Sequence, residues 1–343
     1  MRHSASNESA PSGGSAELRS ATTRPMPARD PYPDEILQMA ATLYYVDGLG
    51  QAEVAKLVRV SQTKISRLLA VALERGIVRI SVDEYQPRHE RLEHQLCSRF
   101  NLTSAAVIRT PKNTGGEAAR QTVGHFGAPY VASLLPKTGV VAVGGGRSVS
   151  EVVQRFRRGE QRRLTVVQAM GSIDSNLSPV DALELGRSIV KRWGGEFLTL
   201  STPAFAPDKK VRDSFLASEQ IRFVWQRMKQ ADAAIVGVGS LEGSVYIERH
   251  VLHPSDIADL KSHGAVGEIC GHFFDATGRE CHSRWKDRVI SVELEYLRKI
   301  PQVIGVAAGA ERASAVRAAM SGGLLKSLLI DAPLASALLA SAS

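Results

Sequence analysis

The sequence is too poor in cysteine for a disulfide framework: Cys97, Cys270 and Cys281 are the whole complement in 343 residues. No apolar run reaches membrane-spanning length, and the N-terminus lacks the apolar core of a secretory signal. A disulfide-stapled secreted module and a helical membrane protein are thereby excluded, and a reducing cytoplasm is the expected compartment. Acids are scarce over residues 56–82, where Glu74 alone stands against Lys56, Arg59, Lys64, Arg67, Arg75 and Arg79. A Walker A loop and a complete dinucleotide fingerprint are missing too, so no cofactor is expected. What is present is a chain of two-domain length, 43% hydrophobic, with a net charge of +8 that permits a polyanionic partner.

Residues 47–82 read as a helix-turn-helix followed by a wing. Val54, Ala55 and Val58 make the apolar stripe of a short helix, and the small Ala55 suits a steep helix crossing. After a break at Arg59-Val60, Ser61 sits where an N-cap belongs. Ile65, Leu68, Leu69 and Ala72 then face inward. Gln62, Thr63, Lys64, Ser66 and Arg67 are left outward, and these side-chain types bond base edges and phosphates. Gly76 ends the helix, and Ile77–Val82 alternates as a wing strand would. The turn commonly takes glycine in a left-handed conformation, and here that position falls on Arg59.

The chain divides into a disordered tail at 1–33, the winged helix-turn-helix at 34–83, a connecting helix at 84–99 and an effector-binding and oligomerisation domain at 100–343. From about residue 100, short β-rich runs alternate with helical stretches. Strands are expected at 104–108, 140–143, 164–169, 196–200, 233–237, 303–306 and 328–330, with helices at 115–135, 148–157, 180–193, 213–230, 293–298 and 311–320. That alternation makes an α/β fold with a mostly parallel sheet, whose ligand sits beyond the carboxyl ends of the strands.

Three strand-end loops are candidates for a pocket. Gly144, Gly145 and Gly146 let backbone approach a ligand, and Arg147 and Ser148 add donors for an anion. Gly171-Ser172 and the Gly237–Ser240 loop, with Gly239, are the others. Arg312, after a small-residue loop, offers a second phosphate contact. Residues 264–278 read as a hairpin or flap, with Asp275 opening a turn. Cys270, His272, Cys281 and His282 lack the tight spacing that tetrahedral zinc prefers, so no metal is expected.

Together, Leu43–Leu49, Ser61–Val82, Gly145–Ser148, Gly264–Asp275, Ile300–Ala307 and Gly322–Leu325 resemble the SorC family of sugar-binding bacterial transcriptional regulators, grouped with the deoxyribonucleoside repressor type. The resemblance implies a Rossmann-like sugar-binding domain similar to ribose-5-phosphate isomerase and glucosamine-6-phosphate deaminase. It further implies a sugar phosphate effector, a dimer or tetramer, and control of operator DNA. Carried over, Gly144–Ser148 and Gly171-Ser172 would hold the phosphate and Asp275 the sugar hydroxyls. Arg312 stands where the family often has a phosphate-binding lysine. Gly145 replaces the family's tryptophan and Ser148 its threonine, so a ligand of different size, or a free polyol, stays open. The competing readings are an isomerase- or deaminase-type enzyme with a DNA-binding appendage, and a regulator whose larger domain only oligomerises. The enzyme lacks an acid–base motif among Asp174, Asp181, Glu242 and Asp275.

Overall fold

A computed structural model describes residues 32–83, 85–111, 114–173 and 178–340. The chain forms two compact units, 1–84 and 85–343. The disordered-tail expectation for 1–33 falls almost wholly outside the described residues. Among these, no helix is long and apolar enough to cross a membrane.

The first unit packs α1 (Asp34–Ala41), a π-helical turn (Thr42–Val46), α2 (Gln51–Val58) and α3 (Gln62–Glu74). Leu37, Ala40, Val54, Ala55, Ile65, Leu68, Leu69 and Ala72 make its core, which includes the inward stripe expected for residues 65–72. Ser61 Oγ accepts from the Lys64 N–H at 3.2 Å, capping α3. Arg59 adopts φ 56°, ψ 45°, so the left-handed turn is built without glycine. Arg75 ties the ends of the unit together, donating to Asp34 at 2.7 Å and to the Tyr32 carbonyl at 2.9 Å.

The wing is a correction. Residues 77–83 form no strand, and Ile80 and Val82 are 59% and 81% exposed. A lone alternating segment has no ladder to join, so its apolar side chains stay in water.

The second unit opens with α4 (Glu90–Phe100), β1 (Ser104–Ile108), α5 (Gly116–Leu134), β2 (Thr138–Val143), α6 (Arg147–Val153), β3 (Arg163–Gln168), α7 (Ala182–Trp193) and β4 (Glu196–Leu198). It continues with α8 (Lys209–Ala217), α9 (Glu219–Met228), β5 (Ala233–Gly237), β6 (Gly239–Ser240), α10 (Val245–Glu248), α11 (Pro254–Ser262), β7 (Gly267–Ile269) and β8 (His272–Phe274). It closes with α12 (Leu294–Lys299), β9 (Gln302–Val306), α13 (Ala313–Ser321), β10 (Ser327–Asp331) and α14 (Ala332–Ala340). The segment expected as a connecting helix is α4, and it belongs to this unit. Its Glu93 accepts from the Val107 N–H at 2.9 Å and holds Arg88, and Leu96 is fully buried.

Seven strands form one parallel sheet in the order β1-β10-β9-β5-β2-β3-β4. Each overlaps a run expected from the sequence, with β2, β3, β9 and β10 beginning one or two residues earlier. Alternate residues feed opposite layers. Val141, Val143, Val166 and Ile235 pack with α5, α6 and α7, whereas Ala142, Val167, Ala234 and Val236 pack with α9, α12 and α13. From β2 the chain runs outward to β3 and β4, then returns to β5 on β2's other side. That reversal opens a crevice beyond the carboxyl ends of β2 and β5, where ligands of such sheets bind.

Candidate functional site

On α3, Gln62, Thr63, Lys64, Ser66 and Arg67 are all exposed, while Ile65, Leu68 and Leu69 between them are buried. The five side chains therefore sit on a helix anchored through its opposite face. The Lys64 ammonium lies 5.9 Å from the centre of the Tyr32 ring.

A cavity of about 130 Å³ lies in the crevice at the strand reversal. Gly145, Gly146, Arg147 and Ser148 come to it from the β2–α6 loop, and Gly239 from β6. Arg312 comes from the short turn before α13. These predicted residues, far apart in sequence, line one cavity. Gly146 has φ 131°, which only glycine takes readily, and a Cβ there would meet nothing within 4 Å. Helix α6 has only seven residues, so the arginine side chains, not a helix terminus, carry the positive field. Arg147 pairs with Glu248 at 3.2 Å, and Arg312 bonds Glu311 and the Ala308 carbonyl.

Four predicted residues are not on the cavity. Gly144 lies behind it, where a Cβ would come within 2.7 Å of Cys270 Sγ. Gly171 is pressed against the Pro203 carbonyl, which a Cβ would approach to 2.2 Å, and Ser172 turns to Asp181 at 3.2 Å. Their neighbours Met170 and Ile173 line the cavity instead. Asp275 is spent on its own turn: one oxygen accepts from the Thr277 N–H, the Thr277 hydroxyl and the Arg279 N–H. The first two distances are 2.8 and 2.7 Å, and these bonds hold its carboxyl below the usual range. In this structure Asp275 is a turn residue and does not line the cavity.

The hairpin β7–β8 is fixed rather than a free flap. Ile269, Phe273 and Phe274 are buried, and β6 completes a three-stranded antiparallel sheet. Its Glu268 and Cys270 form part of the cavity wall. Burial pushes Glu268 up to about 7, against the lowering pull of the Gly271 N–H and His272. Burial likewise raises the Cys270 thiol. His272 and Cys281 turn elsewhere: His272 bonds Glu280 at 2.6 Å, and Cys281 donates to the His263 carbonyl at 3.5 Å.

Sequence reasoning missed Arg120, Asp181, Tyr246, Glu248, Arg249 and Glu268 on the lining. Asp181 had a signal, since Asp before an apolar helical stripe is an N-cap, and it caps α7 through the Leu183 N–H at 2.8 Å. An isolated arginine in a helix pattern carries no comparable mark.

Residues 87–340 match the family described as "Putative sugar-binding domain". The chain belongs to this family. It is 27% identical over 304 residues to the Sorbitol operon regulator of Klebsiella pneumoniae, covering 87% of this chain and 96% of that one. It is also 27% identical over 299 residues to the Deoxyribonucleoside regulator of Bacillus subtilis, covering 87% of this chain and 95% of that one. The crystal structure of the full-length Klebsiella pneumoniae regulator SorC superposes with a TM-score of 0.72 at 26% identity, over 90% of this chain and 100% of that one. Fold and family are those of the SorC-type transcriptional regulators.

Proposed function

We propose that this chain is a cytoplasmic DNA-binding transcriptional regulator of a carbohydrate-catabolism operon, with operator affinity set by a sugar phosphate or polyol in the cavity. The observation that carries the reading is the pairing, in one chain, of an exposed cationic helix in a helix-turn-helix with a separate arginine-lined cavity at a strand reversal. Gln62, Thr63, Lys64, Ser66 and Arg67 contact operator DNA in this reading. Gly145, Gly146, Arg147, Ser148, Gly239 and Arg312 contact the effector. The names of the relatives, regulators of sorbitol and deoxyribonucleoside genes, support the effector class.

The mechanism is a population shift. The protein works as a homo-oligomer with paired DNA-binding heads, and operator and effector favour different arrangements of them. Linkage then requires each ligand to change the other's affinity by the same factor. Catalysis is not part of the reading. Glu268 has the titration a proton carrier needs, but its bonded partner is the Gly271 N–H, not a second acid or base. The test is a DNA-binding titration with and without sugar phosphates, run beside a turnover assay on the same compounds. A changed DNA affinity without turnover supports the regulator; turnover abolished by Glu268→Gln overturns it.

A further inference from the structure

Four arginines line the cavity: Arg120, Arg147, Arg249 and Arg312. Arg147 has Glu248, Arg249 reaches the Ser178 hydroxyl at 3.4 Å, and Arg312 has Glu311. The Arg120 guanidinium, on α5, makes no hydrogen bond or ion pair to any described residue. It is half-buried at the cavity wall. Burial opposes its charge first, then Arg147 and Arg312, while Glu117 and Glu151 offset them only in part. A guanidinium left among like charges raises the free energy of the empty protein unless an anion arrives to neutralise it. The same lining also carries Asp181, Tyr246 and Glu268.

We propose that Arg120 joins Arg147 and Arg312 in a three-guanidinium clamp that selects a phosphomonoester dianion over free sugars and singly charged esters. This rests on the effector reading above and narrows it. A phosphomonoester brings a charge of about −1.5 to −2 at neutral pH and three strong acceptor oxygens, which suit several arginine forks at once. A sulfate monoester has the same shape and one charge.

The test uses the full chain at constant ionic strength. Thermal melting and calorimetric titration are run with inorganic phosphate, glucose 6-phosphate, ribose 5-phosphate, glucose 6-sulfate and the free sugars. The proposal expects phosphate and at least one sugar phosphate to raise the melting temperature, with the sulfate ester and free sugars far weaker. Arg120→Gln weakens the sugar phosphate about 10- to 100-fold. It leaves the unliganded melting temperature at or above that of the parent, because it removes a repelled charge. Arg120→Lys keeps an intermediate affinity. Parent-like affinity in Arg120→Gln overturns the role of Arg120 and leaves the effector reading standing. Equal binding of the sulfate ester overturns the charge selectivity. A large fall in the unliganded melting temperature, matched by Arg120→Lys, makes Arg120 a structural residue and overturns the clamp. Silence of the parent protein across all the probes overturns the effector reading itself.

Discussion

Lys64 and Arg67 stand in open solvent on α3, whereas Arg120, Arg147 and Arg312 converge on one cavity. Both groups are cationic, but they hold charge at different cost. Exposed cations are hydrated and screened, so α3 carries its charge cheaply and offers it to a long polyanion. Half-buried cations lose hydration and repel one another, so in the proposal above the cavity favours a compact anion. The first arrangement predicts an affinity that falls steeply with salt. The second predicts one that depends on the ligand's own charge and shape.

The largest expected effect is on the solvent side. Removing both Lys64 and Arg67 as alanines lowers DNA affinity about 100-fold or more and reduces the salt slope by about two, with sugar phosphate affinity unchanged. Electrophoretic mobility shifts over a salt series check this, and parallel loss of effector binding would break the division into two sites. Next, Arg147→Ala weakens sugar phosphate binding about 10- to 100-fold while DNA binding persists. Calorimetry beside anisotropy reads both quantities.

Glu268 gives a pH test of how dry the cavity is. Its folded value of about 7 lies above the ordinary 4.5, so the fold binds this proton more tightly than the unfolded chain does. The stability it lends is therefore fully present below about pH 4.5 and is lost as pH rises towards 7. With a discount for water reaching the cavity wall, the loss is on the order of 2 kcal/mol. Glu268→Gln flattens that part of the melting-temperature profile, and an unchanged slope would mean that the carboxyl is well hydrated.

Much of the fold could be read because strands buried on both faces leave continuous apolar runs, and Val140–Val143 or Ala233–Val236 can be little else. Shorter elements were harder. The two-residue strand β6 leaves no period to detect, and α8 and α9 read as one helix because the break at Ser218 is a single residue. Ser218 before Glu219 is nonetheless an N-terminal signal. Helix α14 also had one, since Asp331 precedes Pro333 and accepts from the Leu334 N–H at 3.3 Å. The candidate site was read at its glycine loop and at Arg312, where local sequence departs from plain helix or strand. Arg120 and Arg249 escaped because their approach to the cavity is set by how helices dock, which local spacing does not encode. Asp275 shows the converse: a motif position suggested a ligand, and the structure places it off the cavity with one oxygen used by its own turn.

Two smaller effects sharpen the contrast. Ser61→Ala removes the cap of α3 and destabilises the first unit by about 1 kcal/mol, read as an earlier urea midpoint for that unit. Asp275→Asn weakens its turn yet leaves effector affinity within about twofold, the span of ordinary surface changes. A large loss of affinity would restore it to the site.

The most direct test of the account is fluorescence anisotropy of the full chain on DNA selected by it from a random pool, titrated with sugar phosphates at fixed salt. The account predicts that at least one sugar phosphate shifts the apparent Kd for DNA, and that Arg147→Ala abolishes the shift while the DNA affinity itself remains. A DNA affinity indifferent to every sugar phosphate, or a shift that survives Arg147→Ala unchanged, would contradict it.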